Sequence, residues 1–417
     1  MSVFDIAAIL IGLAALFGFL NHRYLKLPHT IGLLLIALSA SSVVIFADAT
    51  LPGSEIGITI SKLLAQIDFH ETVMHGMLSF LLFAGALHVD FIAMADRKWP
   101  ILTLATVGIL TSTFVIGTAL WFVLGLLGLS LPWIWALVFG ALISPTDPVA
   151  VLGIFKTINV PSALEAKVAG ESLFNDGVGV VVFTILLSIA VGGDYGQVGP
   201  KDVMIVFLQE AVGGILLGLV AGYVGYRAMH VIDEYVIEIL ISLALVMVTY
   251  AIAIKVHMSG PIAMVVAGLF IGNQGAQFAM SETTREHLFH FWELMDEILN
   301  SVLFLLIGLE VLVVSFSIDH ISAAILAIPI TLLGRSFGVG IPMAALSVRM
   351  TFTQGAIPVL IWGGLRGGIA VALALSLPEN EFKPLILTAT YAVVIFSIVV
   401  QGMSMKALVK RIVPSRS

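Results

Sequence analysis

Apolar runs of about twenty residues recur from one end of the chain to the other, separated by short polar stretches. A helix needs ~20 such residues, at ~1.5 Å each, to cross the hydrocarbon core of a bilayer. The pattern predicts an all-α polytopic membrane protein with thirteen spans. They fall roughly at 3–20, 29–47, 70–91, 101–128, 132–155, 164–191, 202–228, 235–254, 258–273, 295–316, 321–346, 355–377 and 385–408. The ninth is short and the third only moderately apolar. Residues 281–294 predict an amphipathic linker at the surface ahead of the tenth span.

Composition agrees with that class: 59% of the 417 residues are hydrophobic and 11% charged, against ~25% charged in ordinary soluble domains. No polar stretch is long enough for a separate soluble domain. Zero cysteines exclude disulfides, thiolate metal sites and thiol catalysis. The first apolar segment lacks a basic flank and carries Asp5, so it reads as a span rather than a signal peptide. The net charge of −7 says little about partners in such a protein. The expected surroundings are the lipid bilayer, with no nucleic-acid partner and no cofactor.

The distribution of basic residues sets the orientation. With the N-terminus outside, the inside loops and tail hold thirteen: Arg23, Lys26, Arg97, Lys98, Lys156, Lys167, Arg227, Arg285, Arg349, Lys406, Lys410, Arg411 and Arg416. The outside loops hold four: Lys62, Lys201, Lys255 and Lys383. Arg335 and Arg366 lie within spans. This asymmetry predicts N-out and C-in, with the C-terminus cytoplasmic in a bacterial inner (plasma) membrane.

An internal echo at an offset of roughly 220 residues relates Phe83–His88 to Phe304–Glu310. It also relates the Pro-interrupted fifth span (Ser144-Pro-Thr-Asp-Pro-Val-Ala150) to the Gly-interrupted twelfth (Trp362-Gly-Gly-Leu-Arg-Gly-Gly368). The expected organisation is two six-helix repeats, 1–192 and 231–410, joined by a linker helix at 193–230 and followed by a short tail, 411–417. An odd number of spans separates equivalent helices, so the repeats are inverted. Paired interrupted helices in such repeats point to a transporter site near the membrane midplane.

Charged residues inside the spans supply the candidate chemistry, because a charge at membrane depth costs at least a few kcal/mol. Pro145 and Pro148 each remove a backbone donor and disfavour helix in the residue before them, which predicts an unwound stretch at Ser144–Asp147. Freed carbonyls and the Ser144 and Thr146 hydroxyls then line a cavity, and Asp147 stands at the start of the second half-helix. The plainer alternative is a proline kink with a capping aspartate and no ligand role. In the twelfth span, four glycines surround Arg366. Crossing of the two interruptions would let Asp147 neutralise helix N-termini and Arg366 helix C-termini.

Helical spacing sorts the sixth span. Ser172 and Asp176 share one face, and Glu171 and Asn175 share another turned by about 100°. The first face suits a hard cation. The second offers a carboxylate and an amide to a neighbouring helix. Asp176 lies ~18 Å along the span from its inner end, close to the midplane. Arg335, ~16 Å from the inner end of the eleventh span, matches Glu171 in depth, with Lys167 as a rival partner at i−4. A buried pair with a guanidinium would keep Glu171 ionised and leave Asp176 as the group free to titrate.

Thr146-Asp147-Pro148, Glu171-Ser-Leu-Phe-Asn-Asp176, Arg335 and Gly364-Leu-Arg-Gly-Gly368 together resemble the sodium/proton exchanger type of monovalent cation/proton antiporter. The likeness is to the branch marked by an Asn-Asp pair, and it covers nearly the whole chain. The resemblance implies a homodimer with the first span in its interface, and a mobile core domain carrying the site. It implies that Asp176 binds either cation or proton, assisted by Ser172, Asp147 and the Thr146 carbonyl. It also implies a Glu171–Arg335 pair and a structural role for Asn175. Many bacterial relatives carry Gly-Leu-Glu near the end of the third span, where this chain has Gly85-Ala-Leu-His88-Val-Asp90. Either His88 or Asp90 takes that place, or neither does.

A bare carboxylate crosses an apolar barrier at high cost, whereas a protonated or cation-paired one crosses more cheaply. Competition between proton and cation for Asp176 therefore yields antiport. With Asn175 neutral and Glu171 committed, one Na+ (or Li+) exchanges for one H+, electroneutrally. The same residues would support K+/H+ exchange, and a passive cation channel is the alternative from another class. Enzymatic catalysis is not expected, since no nucleophile–base arrangement or metal-ligand spacing appears.

Overall fold

The computed structural model describes residues 3–50, 60, 62, 69–95, 97–157, 160, 162–192, 200–312, 318–348, 350, 352 and 355–412. Apolar side chains fix the architecture: their runs form helices, and the described elements are all helical. In chain order the principal ones are α1 (Val3–Leu20), α2 (His29–Thr50), α3 (Leu78–Leu87), α4 (Ile109–Leu126), α5 (Trp133–Ile143), α6 (Val149–Thr157), α7 (Ser162–Val191) and α8 (Gly213–Met229). They continue with α9 (Tyr235–Lys255), α10 (Gly260–Phe270), α11 (Glu282–Glu310), α12 (Ile318–Ser347), α13 (Ala356–Trp362), α14 (Gly368–Leu375), α15 (Lys383–Phe396) and α16 (Met403–Ile412).

Among the described residues, eight helical stretches are long and apolar enough to cross a membrane: Phe4–Leu25, His29–Asp48, Lys98–Leu126, Lys167–Val191, Met204–Met229, Tyr235–Lys255, His320–Ser347 and Lys383–Ile412. Their outward faces are apolar. Leu216, Val220, Tyr223 and Val224 stand exposed along α8, a stripe suited to lipid rather than water. The protein is therefore an all-helical, polytopic integral membrane protein.

Helix α2 packs on α11, α3 on α10, and α4 lies against both α5 and α12. Helix α7 covers α5, and α12 packs on α15. Small residues permit the closest of these approaches: a Cβ on Gly308 would stand 2.5 Å from that of Ala37. Beneath the breaks described below, Val151, Phe155, Val168, Val339, Met343, Leu360 and Met405 form a separate buried apolar cluster from α6, α7, α12, α13 and α16.

The stretch 281–294 is amphipathic and lies at the surface, as expected, but it is not a separate linker. Helix α11 runs without interruption from Glu282 to Glu310, capped by Ser281, whose Oγ accepts from the Thr284 N–H at 3.3 Å. Leu288 and Trp292 are fully buried, and Trp292 Nε1 donates to Ser242 Oγ at 3.0 Å. The alternating polarity belongs to a helix with one packed face.

Candidate ion-binding site

The two interruptions meet. Helix α5 ends at Ile143 and α6 begins at Val149; α13 ends at Trp362 and α14 begins at Gly368. Between them the backbones exchange contacts. The Asp147 N–H donates to the Leu365 carbonyl at 2.8 Å. Arg366 Nη1 donates to the carbonyls of Ser144 at 2.8 Å and Pro145 at 3.0 Å. These carbonyls close α5, and a guanidinium there opposes the negative end of its dipole. Asp147 Oδ1 accepts from the Val149 N–H at 2.9 Å, so a carboxylate stands at the positive start of α6. The start of α14 lies at the same carboxylate: a Cβ on Gly367 would collide with Asp147 Oδ2.

The fourth half-helix end has its own guanidinium. Arg335 Nε and Nη2 donate to the Leu360 carbonyl, in the last turn of α13, at 3.1 and 2.9 Å. The same side chain grips Glu171 with both arms: Nη1 pairs with Oε1, and Nη2 reaches Oε2 at 2.9 Å. This fork-on-carboxylate geometry is the strong form of an ion pair, and both partners are buried. Lys167 does not share it; its Nζ lies 4.9 Å from the centre of the Phe352 ring.

Helix α7 brings three polar side chains to the Pro-interrupted stretch. Asn175 straddles Thr146: its Nδ2 donates to Thr146 Oγ1 at 2.8 Å, and its Oδ1 accepts from the Thr146 N–H at 3.3 Å. Ser172 Oγ lies 3.0 Å from Thr146 Oγ1 and donates to the Thr146 carbonyl. Asp176 sits one turn along from Ser172, 7% exposed. Among the described residues, no hydrogen bond reaches the Asp176 carboxylate. Thr146, Asp147, Ser172, Asn175 and Asp176 are thus gathered on one side of the crossing, and Glu171 and Arg335 on another, with Arg366 bridging the interruptions. Three carboxylates and two guanidiniums leave these five groups one positive charge short of neutrality.

His88 and Asp90 stand apart from this group. His88 Nδ1 pairs with the Ala84 carbonyl at 2.8 Å, and its ring meets Phe289 edge-on at 5.3 Å. The Asp90 carbonyl accepts from the Met94 N–H at the start of the next short helix.

Some supporting residues were not anticipated. Ser397 Oγ accepts from the Arg366 N–H at 3.0 Å, and its one proton lies between the Val394 carbonyl at 2.9 Å and the Arg366 carbonyl at 3.2 Å. Gln401 Nε2 donates to the Trp362 carbonyl at 2.9 Å, at the end of α13. Both lie in a π-helical turn, Ser397–Gly402, of the kind often found beside functional sites. Their signal was present: two polar side chains, four apart, in an otherwise apolar run. Thr113, whose Oγ1 donates to Ser144 Oγ at 3.3 Å, gave no such signal.

Two broken helices crossing inside a helical membrane protein, with charge of the opposing sign at each half-helix end, define a secondary transporter. The chain belongs to the sodium/hydrogen exchanger family, whose transmembrane domain matches residues 10–411. It is 45% identical over 412 residues to the Na(+)/H(+) antiporter NhaP of Pseudomonas aeruginosa, covering 98% of this chain and 96% of that one. It is 36% identical over 394 residues to the Na(+)/H(+) antiporter NhaH of Halobacillus dabanensis, covering 94% and 93%. The solved structure of the sodium proton antiporter MjNhaP1 from Methanocaldococcus jannaschii at pH 8 superposes with a TM-score of 0.76 over 98% of both chains. At 19% identity, that likeness establishes the shared fold.

Proposed function

We propose that this protein exchanges Na+ (or Li+) for H+ across the membrane, one for one, with both ions using Asp176 in turn. One observation carries the reading: Glu171 is held bidentately by Arg335, while the Asp176 carboxylate has no hydrogen bond among the described residues. A carboxylate gripped on both oxygens is already committed, and an uncommitted one beside hydroxyls and a carbonyl suits a hard monovalent cation or a proton. Ser172, the Thr146 carbonyl and Asp147 are the further ligands. Asn175 holds Thr146 in place, and Glu171, Arg335 and Arg366 compensate the half-helix ends. A site lacking one positive charge is neutralised equally by one cation or one proton, so a loaded core crosses without net charge in either direction.

The architecture that serves this cycle has thirteen spans, N-terminus outside, in a bacterial plasma membrane. Two inverted repeats, 1–192 and 231–410, are joined by a helix at 193–230. The packing of α2 on α11 beside α3 on α10 supports the repeats, since inversion exchanges these two pairs. Movement of a core domain, which carries the crossed helices from both repeats, against a dimerisation domain gives alternating access in a homodimer.

Asp176→Asn abolishes Na+-driven proton flux in proteoliposomes while leaving the protein folded; persistent exchange overturns the assignment of the carrier. A strong dependence of the rate on a clamped membrane potential sinks the one-for-one stoichiometry. K+/H+ exchange employs the same ligands and is separated by testing Na+, Li+ and K+ individually. A channel would conduct without an opposing gradient.

A further inference from the structure

We infer that a single buried water molecule links Arg366 to Thr331 and that, through it, Thr331 is a positioning residue for the helix crossing. Arg366 has five N–H donors. Its backbone is held by Ser397, and Nη1 serves the carbonyls of Ser144 and Pro145. Nε and Nη2 point elsewhere. They are shielded from solvent and, among the described residues, meet no acceptor. The Thr331 hydroxyl on α12 is likewise buried without a partner.

All three atoms belong to residues around one cavity between α12, the α13–α14 break and α15. Its polar lining comes from Thr331, Arg335, Arg366 and Gln401, and its apolar lining includes Val393 and Phe396. It offers ≈ 10 Å³ to the centre of a water molecule. A space of about 10–15 Å³ by that measure holds one water, provided two to four polar partners surround it.

One water gives each of these three atoms a partner. Its oxygen accepts from Arg366 Nε and Nη2, and one of its hydrogens goes to Thr331 Oγ1. Three groups that would each carry the cost of an unmade bond are satisfied together. Arg335 cannot substitute as the acceptor, because a guanidinium only donates. The second hydrogen-bonded edge also fixes the guanidinium plane. An Arg366 held only by Nη1 could swivel, whereas one held on two edges keeps Nη1 aimed at the ends of α5.

High-resolution structures of the intact protein test the inference. A density feature within hydrogen-bond reach of Arg366 Nε, Nη2 and Thr331 Oγ1 is expected in the native protein and in Thr331→Ser. It is expected to disappear in the near-isosteric Thr331→Val. In thermal unfolding, the valine variant melts a few degrees lower and the serine variant recovers the difference. Maximal antiport follows the same order, falling several-fold in the valine variant and returning with serine. An empty cavity at a resolution that shows other buried waters overturns the inference. So does anomalous scattering at that point after bromide exchange, which would indicate an anion. Native melting and flux in Thr331→Val, or failure of serine to restore them, removes Thr331 from the role.

Discussion

The two interruptions do the same geometric job by opposite chemical means. At 144–148 the chain leaves the helix because two prolines lack N–H donors. The result is surplus acceptors, the carbonyls of Ser144, Pro145 and Thr146. At 363–367 the helix opens through glycines, and the benefit is space: Gly367 admits the Asp147 carboxylate, and Gly364 admits Arg335, whose Nε would lie 2.5 Å from a Cβ there. The proline break is therefore rich in oxygen and carries the hydroxyls and carboxylates suited to a cation. The glycine break brings in the guanidiniums that keep the oxygen-rich side stable. Proline makes ligands here, and glycine makes room for their counterparts.

Removing the guanidinium tests this division most severely. Arg366→Ala strands the Ser144 and Pro145 carbonyls, each losing a charge-assisted hydrogen bond of about 1.5–3 kcal/mol. Loss of folded dimer or monomer in detergent gel filtration is the expected outcome, and a well-folded variant with only an altered ion affinity would contradict the compensating role. Gly367→Ala attacks the space rather than the charge. Its methyl meets Asp147, for an overpacking penalty of about 1–3 kcal/mol. A lowered melting temperature together with weakened Na+-driven flux is expected, and native values for both would show that the close approach is not needed. Pro148→Ala should matter least. Pro148 immediately precedes α6, with its carbonyl accepting from the Leu152 N–H, and proline at such a helix start is merely favourable, so a loss of under about 1 kcal/mol is expected in thermal unfolding. A large loss would mean that the proline itself, rather than the Asp147 cap, sustains the break.

Both breaks were legible because proline pairs and clustered glycines inside apolar runs have few other uses. Intramembrane charges were legible for a similar reason, since each demands a partner at matching depth. Legibility ended where the partner is backbone. That Arg335 also serves the Leu360 carbonyl depends on where α13 stops relative to α12, and no residue type announces it. The 281–294 stretch was legible as amphipathic, but not as the first half of α11, because a polar face marks a separate surface helix and one side of a longer packed helix equally. Only burial of Leu288 and Trp292 distinguishes the two. Thr113 was invisible, being one of many hydroxyls whose commoner habit in a helix is to bond its own preceding turn.

The small network around Thr146 has one more consequence. The Ser172 proton is given to the Thr146 carbonyl, so the Thr146 hydroxyl proton must be the one shared with Ser172 Oγ, while Asn175 donates to Thr146 Oγ1. Both hydroxyl protons circulate within the network, and neither is left for Asp176. The group around Thr146 is thus rich in acceptor oxygens, and its own hydroxyl protons are already spent. On the proposed reading, a cation or a proton from the aqueous phase supplies what this network lacks.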